Sequence, residues 1–184
     1  MVLFHTIEDR DNPDQIESHA PFKCIRNDAW LGDGYYFWDT FIENAHWWGK
    51  KVKPGGYVIL EYQCDSNSNK LFDLQGNMNH VSQFKEIVEL LRKQRLLNEK
   101  TTVPWVIEYL KKKTDFATIY EAIRIYGHYS KSYSTTVKML FSKNKSHYLE
   151  LTPAVQLCLF DKKSLNLSIG KIVYPPKYLN ENVV

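Results

Sequence analysis

The chain has 184 residues, 43% hydrophobic and 24% charged, which suits one soluble domain with one core and leaves little room for two. No run of 18 apolar residues occurs, and MVLFHTIEDRD has neither a basic stretch nor a long apolar segment. A membrane-spanning helix and a secretory signal are therefore not expected. Cys24, Cys64 and Cys158 are scattered without CxxC spacing, which argues for reduced thiols in a cytoplasmic protein and against a zinc site or a disulfide framework. The net charge of +3 is unevenly spread: residues 1–84 carry 7 Lys and Arg against 12 Asp and Glu, and residues 85–184 carry 17 against 9. A large anionic partner would meet the basic half, unless those lysines form an ordinary solvated surface.

Taken in chain order, Val2 to Ile7 is a short apolar run that predicts a strand. Asn12-Pro13 then predicts a short helix, with Asn12 as N-cap and proline at the first helical position. Pro21 to Leu31 reads as a loop that ends in Gly32-Asp33-Gly34, and Tyr35 to Trp38 enters a strand. Asp39 or Thr40 can cap a helix through Trp48, with Gly49 stopping it. After the Pro54-Gly55-Gly56 turn, Tyr57 to Cys64 predicts a central strand.

A polar turn precedes Leu71 to Leu74. Apolar positions Val81, Phe84, Ile87, Val88 and Leu91 then recur at helical spacing within His80 to Leu97. A second helix is expected from Pro104 to Lys113, its three terminal lysines suiting the negative end of the helix dipole. Phe116 to Tyr126 reads as helix or strand, and a Lys/Ser/Tyr-rich stretch follows as a surface loop leading to a strand. Val155 to Phe160 predicts a buried strand, and Ile169 to Val173 a last short one. Helices fall between strands without βαβ alternation, so the expected fold class is α+β, with distant segments paired in the sheet.

The stretch Leu31 to Trp48, LGDGYYFWDTFIENAHWW, stands out: two glycines flank an aspartate before a run of aromatics. Glycines let backbone approach a flat ligand closely, and aromatic faces can stack on one, but on these residues alone a glycine turn leading into an aromatic-rich core strand is the favoured reading. This stretch resembles the G-x-G-x-Y-F-A-D…K-S-A-N-Y segment of poly(ADP-ribose) polymerases and related bacterial ADP-ribosyltransferases, in register from Gly32 to Trp47. That superfamily is described by His, Tyr and Glu on three strands. His5 falls where the family has its His-Gly pair, and Gln156-Leu157-Cys158-Leu159-Phe160-Asp161 matches the third strand with glutamine at the glutamate position. The resemblance covers roughly residues 1–75 and 150–175.

It implies a single ADP-ribosyltransferase-like domain over 1–184, a split β-sheet core with a helical and basic insertion at roughly 77–150. It implies catalytic roles for His5, Tyr36 and Gln156, and an NAD site made by His5, Thr6, Gly34, Tyr36, Asn44 and Trp47. In that site His5 would bond the adenosine-side ribose, and the Thr6 backbone would grip the carboxamide. Tyr36 and Trp47 would sandwich the nicotinamide, a face-on contact worth roughly 0.5–2 kcal/mol for the cationic ring. Asn44 would bond the carboxamide. NAD is thus the implied substrate, with no metal.

The implied activity is transfer of ADP-ribose to a macromolecule, as in a toxin or anti-phage effector. The acceptor would be a protein or a nucleic acid met through Lys111 to Lys113 and Lys131 to Lys145, the latter with Tyr129, Tyr133 and Tyr148 interleaved. An antitoxin partner fits such an effector; a membrane partner is not expected. Gln156 keeps hydrogen-bonding atoms but lacks the charge that stabilises an oxocarbenium-like state. A catalytically silent NAD-binding module and an NAD glycohydrolase therefore stand as alternatives. Glu150, the nearest upstream acid, is the candidate substitute.

Overall fold

The computed structural model describes residues 1–52, 55–127, 138–143 and 147–179. Among the described residues nine strands and five α-helices follow in the order β1 (Val2–Glu8), α1 (Pro13–His19), β2 (Tyr35–Asp39), α2 (Ile42–Val52), β3 (Tyr57–Gln63), β4 (Leu71–Asp73), α3 (Met78–Lys93), α4 (Val103–Lys113), α5 (Phe116–Ile119), β5 (Ala122–Tyr126), β6 (Lys138–Leu140), β7 (Tyr148–Glu150), β8 (Val155–Leu159) and β9 (Lys171–Tyr174). Seven strands form one mostly antiparallel sheet in the order β4-β5-β8-β2-β1-β3-β9, and β6 pairs with β7 separately. The fold is α+β.

Alternation along the strands sorts the core onto two faces. Leu3, Phe37, Leu60, Tyr62, Leu157 and Leu159 lie on one face with Ile16 of α1. Phe72, Ile123 and Cys158 meet Leu91, Ile107, Leu110 and Phe116 of α3 to α5 on the other, where Phe4, Trp38 and Ile59 meet Ala45 of α2. The stretch expected as an insertion thus supplies β5 to the sheet interior and helices to its core. The one parallel pair among the described strands, β4 with β5, is joined by those helices, as a parallel connection requires.

Several expected boundaries move. Helix α2 runs through Gly49 to Val52, because Gly49 packs under Tyr57: a Cβ there would lie 2.4 Å from the ring. Close packing, and not a stop, explains this glycine. Asp39 and Thr40 do not cap the helix; Thr40 adopts φ 62° and its hydroxyl donates to Asp39. Helix α3 starts earlier than expected, capped by Asn77, whose side chain accepts from the amides of Asn79 and His80. It ends at Lys93, where Arg95 turns left-handed at φ 59°. Pro13 does open α1, but the Asn12 side chain makes no capping bond. Phe116 to Tyr126 is both helix and strand, and Ile169, 91% exposed, lies outside β9. Most of the Lys/Ser/Tyr-rich stretch, including Tyr129 and Tyr133, lies outside the described residues. Among the described residues no helix is long and apolar enough to cross a membrane.

At the end of β2 lies a part-buried ion cluster. Asp39, 3% exposed, accepts from Arg124 Nε at 2.7 Å, and Arg124 Nη1 donates to both oxygens of Asp73 at 3.3 and 3.1 Å. Asp73 also accepts from the amides of Gln75 and Gly76.

Candidate functional site

Strand β1 pairs with β3 along its whole length but with β2 only at Leu3–Asp39 and Phe4–Trp38. Beyond Phe4 the two strands part, and a cleft of about 590 Å³ opens in the fork. Its size lies within the range of small-molecule sites. One wall is β1 from His5 to Glu8; another is β2 from Tyr36 to Trp38 with Gln156 beside it on β8. The third is α1 with the loop over residues 22–30, and Trp48 of α2 closes an end.

His5 spans the fork. Its Nε2 accepts the Phe22 amide at 3.2 Å, so Nδ1 carries the proton and donates to the Tyr36 carbonyl at 2.8 Å. Burial, with a further push from the positive charge of Lys162, lowers its pKa to about 4 against the opposing carbonyl bond. The imidazole is therefore neutral near pH 7, and both ring nitrogens are in use. Thr6 lines the cleft and donates through Oγ1 to the Ala45 carbonyl at 3.1 Å, tying β1 to α2.

Tyr36 lines the cleft, and its hydroxyl is committed to the turn before β2. That hydroxyl donates to the Gly32 carbonyl at 2.6 Å and accepts the Leu31 amide at 2.8 Å. Burial raises its pKa well above the ordinary phenol range, so it stays protonated. The turn it holds is clamped from α4: Glu108 accepts the Asp33 amide at 2.9 Å, and Lys111 donates to the Asp33 carbonyl at 2.7 Å. Gln156 is half-buried, aligned with Trp38 on β2 and Ile125 on β5, and its amide makes no hydrogen bond among the described residues.

His5, Thr6, Tyr36 and Gln156 thus converge on one cleft, whereas three other expected residues do not reach its wall. Asn44 is fully buried and donates to the Pro153 carbonyl at 3.0 Å, bracing α2 against the approach to β8. Trp47 packs edge-on against Trp38 with Lys51 over its ring, and its neighbour Trp48 lines the cleft instead. Gly34 pairs with Cys24, and a Cβ there would lie 2.3 Å from Cys158 Sγ and 2.7 Å from the Leu159 carbonyl. Its small size serves the contact with β8. Glu150 lies on β7, where it accepts from the Tyr126 hydroxyl, outside the cleft. Lys111, expected in a docking surface, is spent on the Asp33 clamp and on Glu108, and Lys112 also pairs with Glu108.

Sequence reading missed Trp30, Trp48 and the charged rim. Arg10 pairs with Glu8 at 2.8 Å, and Arg26 pairs with Asp28 at 2.7 Å while its guanidinium sits 5.5 Å over the Trp48 ring. Two adjacent tryptophans differ by a 100° helical step, so either could have faced the cleft. No signal in the loop marks its charges.

No family model, curated protein or solved structure matches this chain.

Proposed function

We propose that the chain binds NAD in the fork between β1 and β2 and transfers ADP-ribose from it to a macromolecule, as an ADP-ribosyltransferase-like effector. The observation that carries this reading is the convergence of His5, Thr6, Tyr36 and Gln156, drawn from three strands, on one cleft. In the reaction the nicotinamide–ribose C–N bond breaks, the electron pair leaves with nicotinamide, and the ribose carbon passes through an oxocarbenium-like state that the acceptor attacks. The Tyr36 ring offers a face for the departing base, and Thr6 and His5 shape the opposite wall. Gln156, whose amide has no partner among the described residues, orients a ribose hydroxyl without supplying charge.

A second reading, NAD binding without turnover, is favoured by one specific observation. Gln156 is neutral, and the two carboxylates lining the cleft, Glu8 and Asp28, are each paired with an arginine. A preorganised charge at the reacting centre is worth about 10²–10³ in rate. The test is nicotinamide release from NAD by the chain and by Gln156→Glu, with NAD binding followed by tryptophan fluorescence. Release by the unaltered chain, with label transferred to a macromolecule, supports transfer; label passing only to water makes it a glycohydrolase. Binding without release, with activity gained in Gln156→Glu, supports the silent module. Absence of NAD binding by either form defeats both readings.

A further inference from the structure

The β6–β7 ribbon is separate from the main sheet, and it keeps large apolar side chains in solvent. In an antiparallel pair, residues directly opposite share a face, as do residues two apart along a strand. Met139 lies opposite Leu149, and the Phe141 amide donates to the His147 carbonyl at 3.2 Å, which carries the pairing one step beyond β6. Met139, Phe141 and Leu149 therefore lie on one face, and Leu151 follows just past β7. All four are between 49% and 72% exposed, and none joins the cores of the main sheet. The opposite face carries Lys138, Tyr148 and Glu150; Lys138 Nζ sits 4.2 Å over the Tyr148 ring, and Glu150 accepts from the hydroxyl of Tyr126 on β5. That last bond ties this face to the body of the protein, so the Met139 face looks outward.

The charge along this stretch has one sign. From residue 128 to residue 149 the sequence holds Lys131, Lys138, Lys143 and Lys145 and no Asp or Glu. Lys143 is exposed and has no ionic partner among the described residues. Apolar side chains on an outward face beside lysines match the interface of an anionic lipid bilayer, where the first enter the acyl boundary and the second meet the headgroups. Other occupants fit less well. Two copies meeting through this face would bring their lysines together without an acid between them. A nucleic acid would answer the lysines, but Met139 and Leu149 have no flat face on which a base could stack. A protein would need a groove matched to a projecting ribbon, whereas lipid takes up side chains of any outline.

We propose that the β6–β7 ribbon is a membrane-surface contact, laying Met139, Phe141 and Leu149 into the interface of an anionic bilayer with Lys143 among the headgroups. Such a contact is peripheral and needs no spanning helix. It stands or falls independently of NAD binding.

The experiment sediments the full chain with vesicles of phosphatidylcholine alone and of an equal mixture of phosphatidylcholine and phosphatidylglycerol. It compares the unaltered protein with Met139→Ser/Phe141→Ser, Lys143→Gln and Ile169→Ser. The mixed vesicles should bind the unaltered chain about tenfold or more above the neutral ones, and raising salt should weaken that binding. Met139→Ser/Phe141→Ser should lose about tenfold or more, and Lys143→Gln about fivefold. Ile169, an exposed apolar residue outside the ribbon, is the control, and Ile169→Ser should bind as the unaltered chain does. All four positions are exposed, so the variants should fold, and unchanged unfolding midpoints verify this. The salt response and the two lipid compositions test the unaltered chain without any variant. Absence of vesicle binding overturns the proposal, as does equal binding to both compositions or binding that survives Met139→Ser/Phe141→Ser. A dimer in light scattering that the same double variant abolishes, without vesicle binding, gives the face to a second copy and defeats the proposal. Retention of a single-stranded oligonucleotide without vesicle binding defeats it as well.

Discussion

The ion cluster at Asp39 and the cleft in the fork treat polar groups in opposite ways. At the Asp39 end, Arg124 bonds Asp39 and Asp73, and the remaining acceptor capacity of Asp73 is taken by two backbone amides. On the cleft wall, Gln156, beside Trp38, and Lys23 have no hydrogen-bond or ionic partner among the described residues. Polar groups that satisfy one another tie strands together, whereas groups without partners on a cleft wall stabilise no strand pairing. Tyr36 combines the two: it lines the cleft while its hydroxyl is bonded to the Leu31 amide and the Gly32 carbonyl.

The sharpest way to break this contrast is Arg124→Ala. It strands Asp39, 3% exposed, without its cation, and removing one partner of a buried pair costs about 3–5 kcal/mol. Chemical denaturation should show that loss; a change under about 1 kcal/mol would mean the cluster is not structural.

Next in size is acid. The pKa of His5 falls from 6.5 to about 4 on folding, so below pH 6.5 the unfolded chain takes up a proton that the folded chain refuses. Stability contributed by the neutral imidazole is complete above pH 6.5 and is lost as pH falls toward 4. By linkage the loss reaches about 2–3 kcal/mol at pH 4.5. Unfolding curves at pH 7 and 4.5 should show this loss in the unaltered chain and a smaller one in His5→Gln; equal losses would remove His5 as the cause.

Tyr36→Phe leaves the Leu31 amide and Gly32 carbonyl buried without their partner, which should cost about 1–3 kcal/mol. Because the ring stays, ligand binding should survive in protein that remains folded. Smallest of all should be Gln156→Ala. No partner is lost, so the unfolding midpoint should move by less than about 1 kcal/mol, while any ligand that uses the amide should bind more weakly. A large stability loss would place Gln156 among the structural groups.

Much of this architecture is legible in the chain because it rests on local pattern. Alternating and continuous apolar runs locate β1, β2, β3 and β8, helical spacing locates α3 and α4, and Pro13 marks the start of α1. What escapes is set by contacts distant in sequence. Gly49 continues a helix because Tyr57 lies over it, and Asn44 is buried because Pro153 offers a carbonyl. Arg124, Asp39 and Asp73 come from three strands, and nothing near any one of them announces the other two. Of the motif residues singled out, Tyr36 lines the cleft while Gly34, Asn44 and Trp47 do not, since orientation around α2 is decided by how Trp47 packs on Trp38.

The strand order carries a consequence for how the protein comes into being. Strand β8 slots between β5 and β2, so Trp38 and Gln156 are neighbours although the chain between them holds most of the helices. Such distant pairing forms slowly, because the intervening loop must be closed before any contact rewards it. On the ribosome, β1, α1 and β2 emerge long before the strand that finishes their wall, and domains of this kind fold as units once their strands are present. Translation therefore imposes a delay between making most of the cleft and completing its wall, and a chain cut short before β8 would carry His5 and Tyr36 without Gln156 beside them.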